Sequence, residues 1–409
     1  MFDALANGRR SECLREYFGA PAHAELSELA AAARKKRGHR GPSVLILPGI
    51  MGSKLGGRVA ISRGKRRAPP TVLWIDPLQI SAGHLAALAL PSGRNLKAMG
   101  VLLFSYAKLK LRLQVDGWDA RFHPYDWRLG LDELGARLAA EILAVGRPVT
   151  LVAHSMGGLV ARTAMRLLPK RMVRKLIMLG TPNQGSFAPV QALRGTYPFV
   201  RRMSTLDRRH SPEHLANNVF STFAGLYDML PQRAQAMDLF DARGWPAGGP
   251  TPGPELLGRA ARARAACAPV DSRMAHIVGV NQETVTGLRR MEDGFEYAMD
   301  RNGDGTVPLK LAKLPGLECY FVDEAHADLP NNPRVIKAII DLLRRGRTVE
   351  LPRRWRARAG DVRRTNDAEL RMEGNEKIDW RRLTPKQREA VFAALDSGRL
   401  LPAARHPLA

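Results

Sequence analysis

The sequence predicts an α/β fold: a mainly parallel central sheet with helices on both faces and a cap or lid inserted into it. Three observations carry that expectation. Short apolar, β-branched runs alternate with segments of helical spacing along the chain. One such pair, "PVTLVAHSMGGLVARTAMRLL", passes from strand to helix through a tight turn. A long segment rich in Pro, Gly and aromatics interrupts the alternation, which then resumes.

Residues 1–42 read as a helical and basic extension, the Ala-rich "HAELSELAAAARKKR" followed by a basic linker. The core begins over 43–186. There "PSVLILPGIMG" is a buried strand ended by Pro-Gly and feeding a loop, and "LDELGARLAAEILAVG" has helical spacing with a glycine stop. "VRKLIMLGTPNQGS" is a further apolar strand ending in a turn. Residues 187–275, with "GTYPFVRRM", "FSTFAGLYDMLPQ" and "GWPAGGPTPGPE", form the interruption, and an insertion of that size suits a lid. The core resumes over 276–346 with strands in "MAHIVGV" and "LECYFVDEAHADL" and a closing helix in "NNPRVIKAIIDLLRRG". Residues 347–409 are a basic extension ending in a helix over "WRRLTPKQREAVFAALDSGRLLP", capped at Thr384-Pro385.

At 409 residues and 45% hydrophobic, the chain can bury a sizeable core in one large domain with insertions or in two ordinary ones. Cys13, Cys267 and Cys319 lie far apart without CxxC spacing, which argues against a disulfide scaffold or a zinc site. The start "MFDALANGRRSECLREYF" has no signal-like apolar run, and no stretch approaches the roughly 18 apolar residues of a membrane span, so a cytoplasmic location is expected. The net charge of +25 is spread over basic runs at Arg34–Arg40, Arg63–Arg67, Arg201–Arg209 and Arg344–Arg364. Such runs suit a solvated surface or peripheral attraction to anionic lipid. Their scatter and lack of aromatic interleaving disfavour nucleic acid as a partner.

The chemistry centres on Ala153-His154-Ser155-Met156-Gly157. A serine between a strand and a helix, flanked by small residues because the backbone doubles back, is the pattern of a nucleophile elbow, G-x-S-x-G. Alanine replaces the first glycine, a mild departure. A serine hydroxyl needs a base, and the base needs an acid to orient it. Downstream, "RNGDGTVP" places Asp304 in a Gly-rich turn, and "DEAHADLPNN" places His326 just after the strand "CYFV". Asp300, Asp323, Glu324 and Asp328 lie near enough to compete for the acid's part. An oxyanion hole would draw one N–H from Met156 and a second from "LPGIMGSKL", at Ile50 or its neighbour Met51. Acyl transfer of this kind calls for no cofactor and no metal. Asp300–Gly305 also copies the opening of an EF-hand loop, but Leu311 occupies the twelfth position and Pro308 interrupts the loop.

Taken in order, "LPGIMGSKL", "VLWIDPLQI", "PYDWRLG", "AHSMGGLVAR", "GTPNQGS", "FSTFAGLYDMLP", "NGDGTVP" and "AHADLPNN" resemble the lecithin:cholesterol acyltransferase-like family of α/β-hydrolases, which includes lysosomal phospholipase A2 and the phospholipid:diacylglycerol acyltransferases. The resemblance spans roughly residues 43–335 and implies a triad of Ser155, Asp304 and His326, with the Ile50 and Met156 amides as oxyanion donors. Members that act outside the cytosol usually carry a signal or anchor and a disulfide near the lid, neither of which is expected from these residues, and the two basic extensions lie outside the family pattern. Serine-dependent acyl transfer is therefore implied more firmly than transfer to a sterol or diacylglycerol. Met51, Trp74, Tyr125, Trp127, Phe220, Phe223 and Tyr227 are candidate substrate-binding residues, the six aromatics either lining an acyl-chain channel or, equally, packing in the core as aromatics at such spacing commonly do. The expected function is a lipid acyl hydrolase or O-acyltransferase acting on a lipid ester. The alternative is a non-catalytic protein of the same fold with a basic binding surface.

Overall fold

A computed structural model describes residues 1–36, 41–57, 71–92, 95–231, 237–356, 361–372, 377–384 and 387–388. The basic run Arg63–Arg67, most of Arg34–Arg40, and most of the helix expected after Trp380, with Pro385 of its cap, lie outside these residues.

Six strands form the central sheet: β1 (Ser43–Leu47), β2 (Asp119–Phe122), β3 (Val149–His154), β4 (Val173–Leu179), β5 (Met274–Val280) and β6 (Glu318–Asp323). Their order is β6-β5-β4-β3-β1-β2, and every neighbouring pair is parallel. This is the mainly parallel α/β architecture that the alternation of strands and helices predicts. Side chains alternate across each strand. Leu45, Leu47, Leu151, Ala153, Leu176 and Met178 therefore enter one core, and Val44, Ile46, Val152, Ile177 and Leu179 enter another. Burial on both faces is why these strands appear as continuous apolar runs.

Helices cover each face. On the second core lie α1 (Leu103–Val115), through Tyr106, Leu109 and Leu113, and α4 (Pro333–Arg345), through Val335, Ile339 and Leu342. On the first lie α2 (Leu131–Val145), through Leu134, Leu138 and Ile142, and α3 (Met156–Leu167), through Leu159 and Val160. The ends of α4 follow from its sequence: the Asn332 side chain accepts from the amides of Arg334 and Val335, Pro333 opens the first turn, and Gly346 closes it at φ 72°. No helix among the described residues is long and apolar enough to cross a membrane.

The N-terminal extension folds into helices Phe2–Ala6, Ser11–Phe18 and Ala20–Lys35, whose Leu5, Leu14, Leu26 and Leu29 pack on Ala107 and Leu111 of α1 as an outer layer. Two small antiparallel sheets add to the outline. One places Ser53–Gly57 between Thr71–Trp74 and Lys97–Val101, and the other places Phe295–Asp300 between Thr284–Arg290 and Arg363–Asn366. Glycine and charge in "SKLGG" and "RRTN" leave no apolar alternation to mark such strands.

The inserted segment carries helices Ala188–Leu193, Pro198–Leu206, Pro212–Asn218 and Pro254–Ala263, and its Val200, Met203 and Leu257 continue the first core. The C-terminal extension is woven into it. Lys377 donates from Nζ to the carbonyls of Ser204, Asp207 and His210. Asp367, 2% exposed, accepts from Arg194 Nε at 2.8 Å and from the Tyr297 hydroxyl at 2.6 Å, while Arg194 has no exposure at all. Removing one partner of so deep a pair leaves a buried charge, at a cost of about 3–5 kcal/mol. Asp367→Ala is thus expected to lower the unfolding free energy by about that amount in urea titration, and a loss under about 1 kcal/mol would contradict the pairing's importance.

Candidate active site

The turn between β3 and α3 holds Ser155 at φ 53°, ψ −125°, a left-handed conformation that a non-glycine residue keeps only under constraint. The constraint comes from its neighbours. A Cβ on Gly157 would lie 2.5 Å from the Pro48 carbonyl oxygen, and one on Gly158 would lie 2.0 Å from Thr181 Oγ1. Both glycines are required for α3 to start beside β1 and β4. Ala153 lies within β3, registered between Leu47 and Met178 and fully buried, a place that accepts a methyl group.

Ser155 Oγ stands 2.9 Å from His326 Nε2, and His326 Nδ1 stands 2.8 Å from Asp304 Oδ2. His326 lies in a short 3₁₀ turn after β6, and its own amide donates to the Asp304 carbonyl. Asp304 is 1% exposed, and its Oδ1 accepts from the amides of Thr306 and Val307 at 3.0 and 2.7 Å. Three of the four rival acids are engaged elsewhere: Asp300 with Thr286 and Asn302, Asp323 with Asn281 and Gln282, Glu324 with Ala325 and Asn332. With both Asp304 oxygens and both Asp300 oxygens so occupied, the EF-hand-like turn is used internally. "GTPNQGS" also finds its place here. A Cβ on Gly180 would lie 2.9 Å from His326 Nδ1 and 3.0 Å from Asp304 Oδ2, so the position has to be bare.

The loop after β1 presses on the serine, since a Cβ on Gly49 would lie 2.9 Å from Ser155 Cβ. Ile50 and Met51 line the cavity above it, whereas Met156 begins α3 beneath. Among the described residues neither the Ile50 nor the Met156 amide donates a hydrogen bond, so both remain available. Met51, at φ 62°, offers its carbonyl to Trp74 Nε1 at 2.8 Å.

Sequence reasoning passed over two residues beside the serine. His154 Nδ1 lies 2.8 Å from the Tyr106 hydroxyl, and His154 Nε2 lies 2.9 Å from the carbonyl oxygen of His326. The Tyr106 oxygen in turn accepts the Gly49 amide at 3.0 Å. Burial, and after it the neighbouring His326, hold the His154 pKa well below the ordinary histidine value. That direction favours the neutral imidazole.

A cavity of about 400 Å³ opens over Ser155, with Trp74, Ile75, Phe104, Phe199 and Val200 on its walls and Arg202 among them. Of the aromatics expected to line an acyl channel, Trp74 borders this cavity. Tyr125, Trp127, Phe220, Phe223 and Tyr227 do not. They are buried as supports: Tyr125 donates to the Pro48 carbonyl and Trp127 to that of Ser53, bracing the loop after β1. Phe223 packs edge-on against both Trp127 and Phe220, and the Tyr227 hydroxyl bridges Ser221 and Gly253. The inserted segment instead presents Tyr197, Phe199 and Arg202 to the cavity.

On β5, the buried His276 accepts the Thr181 amide at Nε2, 2.9 Å away, and burial with the charge of Arg162 pushes its pKa down to about 3. The folded chain thus keeps His276 neutral to about pH 3, whereas an unfolded histidine takes its proton near 6.5. Between those values the unfolded state binds more protons, so the stability contributed by His276 is complete above about pH 6.5 and is lost as pH falls towards 3. Urea midpoints should drop between pH 7 and 5, and His276→Gln, whose amide oxygen can still accept from Thr181, should flatten that slope. An unchanged slope in the variant would assign the acid sensitivity to other groups.

A PGAP1-like alpha/beta domain matches residues 138–235, a stretch containing Ser155 but neither Asp304 nor His326. No curated protein matches the chain. Among solved structures, the Tle4–Tli4 complex contains a chain 15% identical at a TM-score of 0.43, the match covering 73% of this chain and 97% of that one. The mature form of the Bacillus licheniformis lipase BlEst2 is 16% identical at a TM-score of 0.34, over 70% of this chain and 85% of that one. Its propeptide form is 15% identical at 0.33, over 70% and 46%.

Proposed function

We propose that the chain is a serine-dependent acyl hydrolase or O-acyltransferase for lipid esters, of the kind its sequence motifs resemble. The observation that carries this reading is the unbroken hydrogen-bond chain Ser155–His326–Asp304 at the floor of an apolar cavity. In the reaction, Ser155 Oγ attacks the ester carbonyl carbon while His326 Nε2 takes its proton. The carbonyl π electrons move onto oxygen, where the Ile50 and Met156 amides receive the charge. The intermediate collapses by breaking the bond to the alkoxy oxygen, which leaves with the proton from His326, and an acyl-enzyme remains. Water or an acceptor alcohol then repeats the sequence, releasing a fatty acid or a new ester.

Two features bear on the substrate. The Trp74, Phe104, Phe199 and Val200 walls suit an acyl chain, and the buried Arg202 guanidinium on the same cavity suits a donor with an anionic group near the ester. The +25 charge would draw the protein to anionic membranes. Binding to anionic vesicles should accordingly weaken between low and high salt, and indifference to both salt and anionic lipid would remove that part of the reading.

The test is incubation with mixed phospholipids, with and without a long-chain alcohol, followed by mass spectrometry of the products, alongside labelling by a fluorophosphonate probe. Free fatty acid marks a hydrolase and new ester marks a transferase. No labelling of the wild type, or equal labelling of Ser155→Ala, would return the chain to a non-catalytic binding role.

A further inference from the structure

We infer that Tyr106 and His154 are positioning residues for the proposed acyl transfer, tying the oxyanion loop, the serine elbow and the histidine loop together through one directional chain of hydrogen bonds. The inference rests on the serine-esterase reading above. Its chemistry is set by proton count. The His326 carbonyl can only accept, so His154 Nε2 must donate to it, and Nδ1 of the same neutral ring accepts the hydroxyl proton of Tyr106, whose oxygen takes the Gly49 N–H. No member of the chain can turn round without stranding another, and a buried polar group left without its partner is costly.

What the chain connects is the point. Gly49 N–H lies on the peptide just before the one that bears the Ile50 N–H. The Gly49 carbonyl, on that second peptide, accepts from Gly52 at 3.0 Å. In a trans peptide the N–H points opposite the C=O, so a fixed Gly49 carbonyl fixes the direction of the Ile50 N–H as well. His154 immediately precedes the nucleophile, and the carbonyl it holds belongs to the base. Tyr106 itself stands on α1, a packed helix of the second core, so all three loops refer to one rigid element. A donor misplaced by about 1 Å costs on the order of 10²-fold in rate, which is the error this chain prevents.

The test is Tyr106→Phe, which keeps the ring and removes both bonds, measured with a soluble p-nitrophenyl ester and a boronic acid that mimics the tetrahedral intermediate. The expected result is a fall in kcat of about 10–100-fold with KM within about twofold, matched by an equal loss of boronic acid affinity. Tyr320→Phe, which removes a hydroxyl bonded to Glu318 away from the site, should leave all three unchanged. His154→Asn, unable to span both partners, should reproduce the pattern and serves if Tyr106→Phe does not fold. A folded variant with kcat within threefold of wild type, or with lower kcat but unaltered boronic acid affinity, overturns the inference alone. A wild type without Ser155-dependent turnover overturns the functional reading and this inference with it.

Discussion

Replacing Ser155 by alanine is expected to abolish fluorophosphonate labelling and to lower kcat on an ester substrate by about 10⁶-fold, while the chain still folds and binds substrate. The size follows from what remains. Without Oγ no acyl-enzyme forms, and the residual rate comes from the oxyanion donors and binding alone, on the order of 10³–10⁴ above water. The variant is a clean one because the backbone at 155 is held from outside. Its amide donates to the Leu179 carbonyl at 2.8 Å, and its φ of 53° is imposed by the packing of Gly157 and Gly158, none of which the hydroxyl supplies. Circular dichroism and the thermal midpoint should therefore stay close to wild type. Residual turnover above about one-hundredth of wild type would show that another group performs the chemistry.

The elbow was legible in the sequence because each of its constraints acts locally. β3 is buried on both faces and must be apolar, and the two glycines are demanded by close contacts with the chain at the ends of β1 and β4. Asp304 and His326 were legible as an order along the chain, but the choice among neighbouring acids was not. Asp323 and Glu324 lie closer to His326 in sequence than Asp304 does, yet only the β-turn amides of Thr306 and Val307 hold a carboxylate facing its Nδ1. Tyr106 was hidden because a tyrosine at helical spacing looks like any core residue, and its partners at 49, 154 and 326 meet only once the sheet is assembled. The acyl-channel aromatics failed for a related reason. Apolar bulk at a position fixes that it is buried, but whether it faces a cavity or braces a loop depends on the elements above it. Likewise a tail composed as basic surface conceals an aspartate that pairs with an arginine 173 positions earlier.

Asp304→Asn is expected to cost about 10⁴-fold in kcat at neutral pH, far more than a loss of one ordinary hydrogen bond. The reason lies in the two amides on its other oxygen. Thr306 and Val307 both donate to Oδ1, so an asparagine must keep its carbonyl oxygen there and turn its NH₂ towards His326. The NH₂ can only donate, which makes His326 Nδ1 an acceptor and moves the ring proton to Nε2. Nε2 then faces Ser155 Oγ, 2.9 Å away, already protonated and unable to act as base. Flipping the amide would restore the tautomer but set an NH₂ against two backbone N–H groups in a site only 1% exposed, which burial forbids. Asp304→Ala removes that misdirection, and although it forfeits the carboxylate's support for the imidazolium, it should retain activity at least comparable to Asp304→Asn. Single-turnover ester cleavage and fluorophosphonate labelling rates measured on both variants check the argument. An Asp304→Asn enzyme within tenfold of wild type would mean that Asp304 does not set the tautomer of His326.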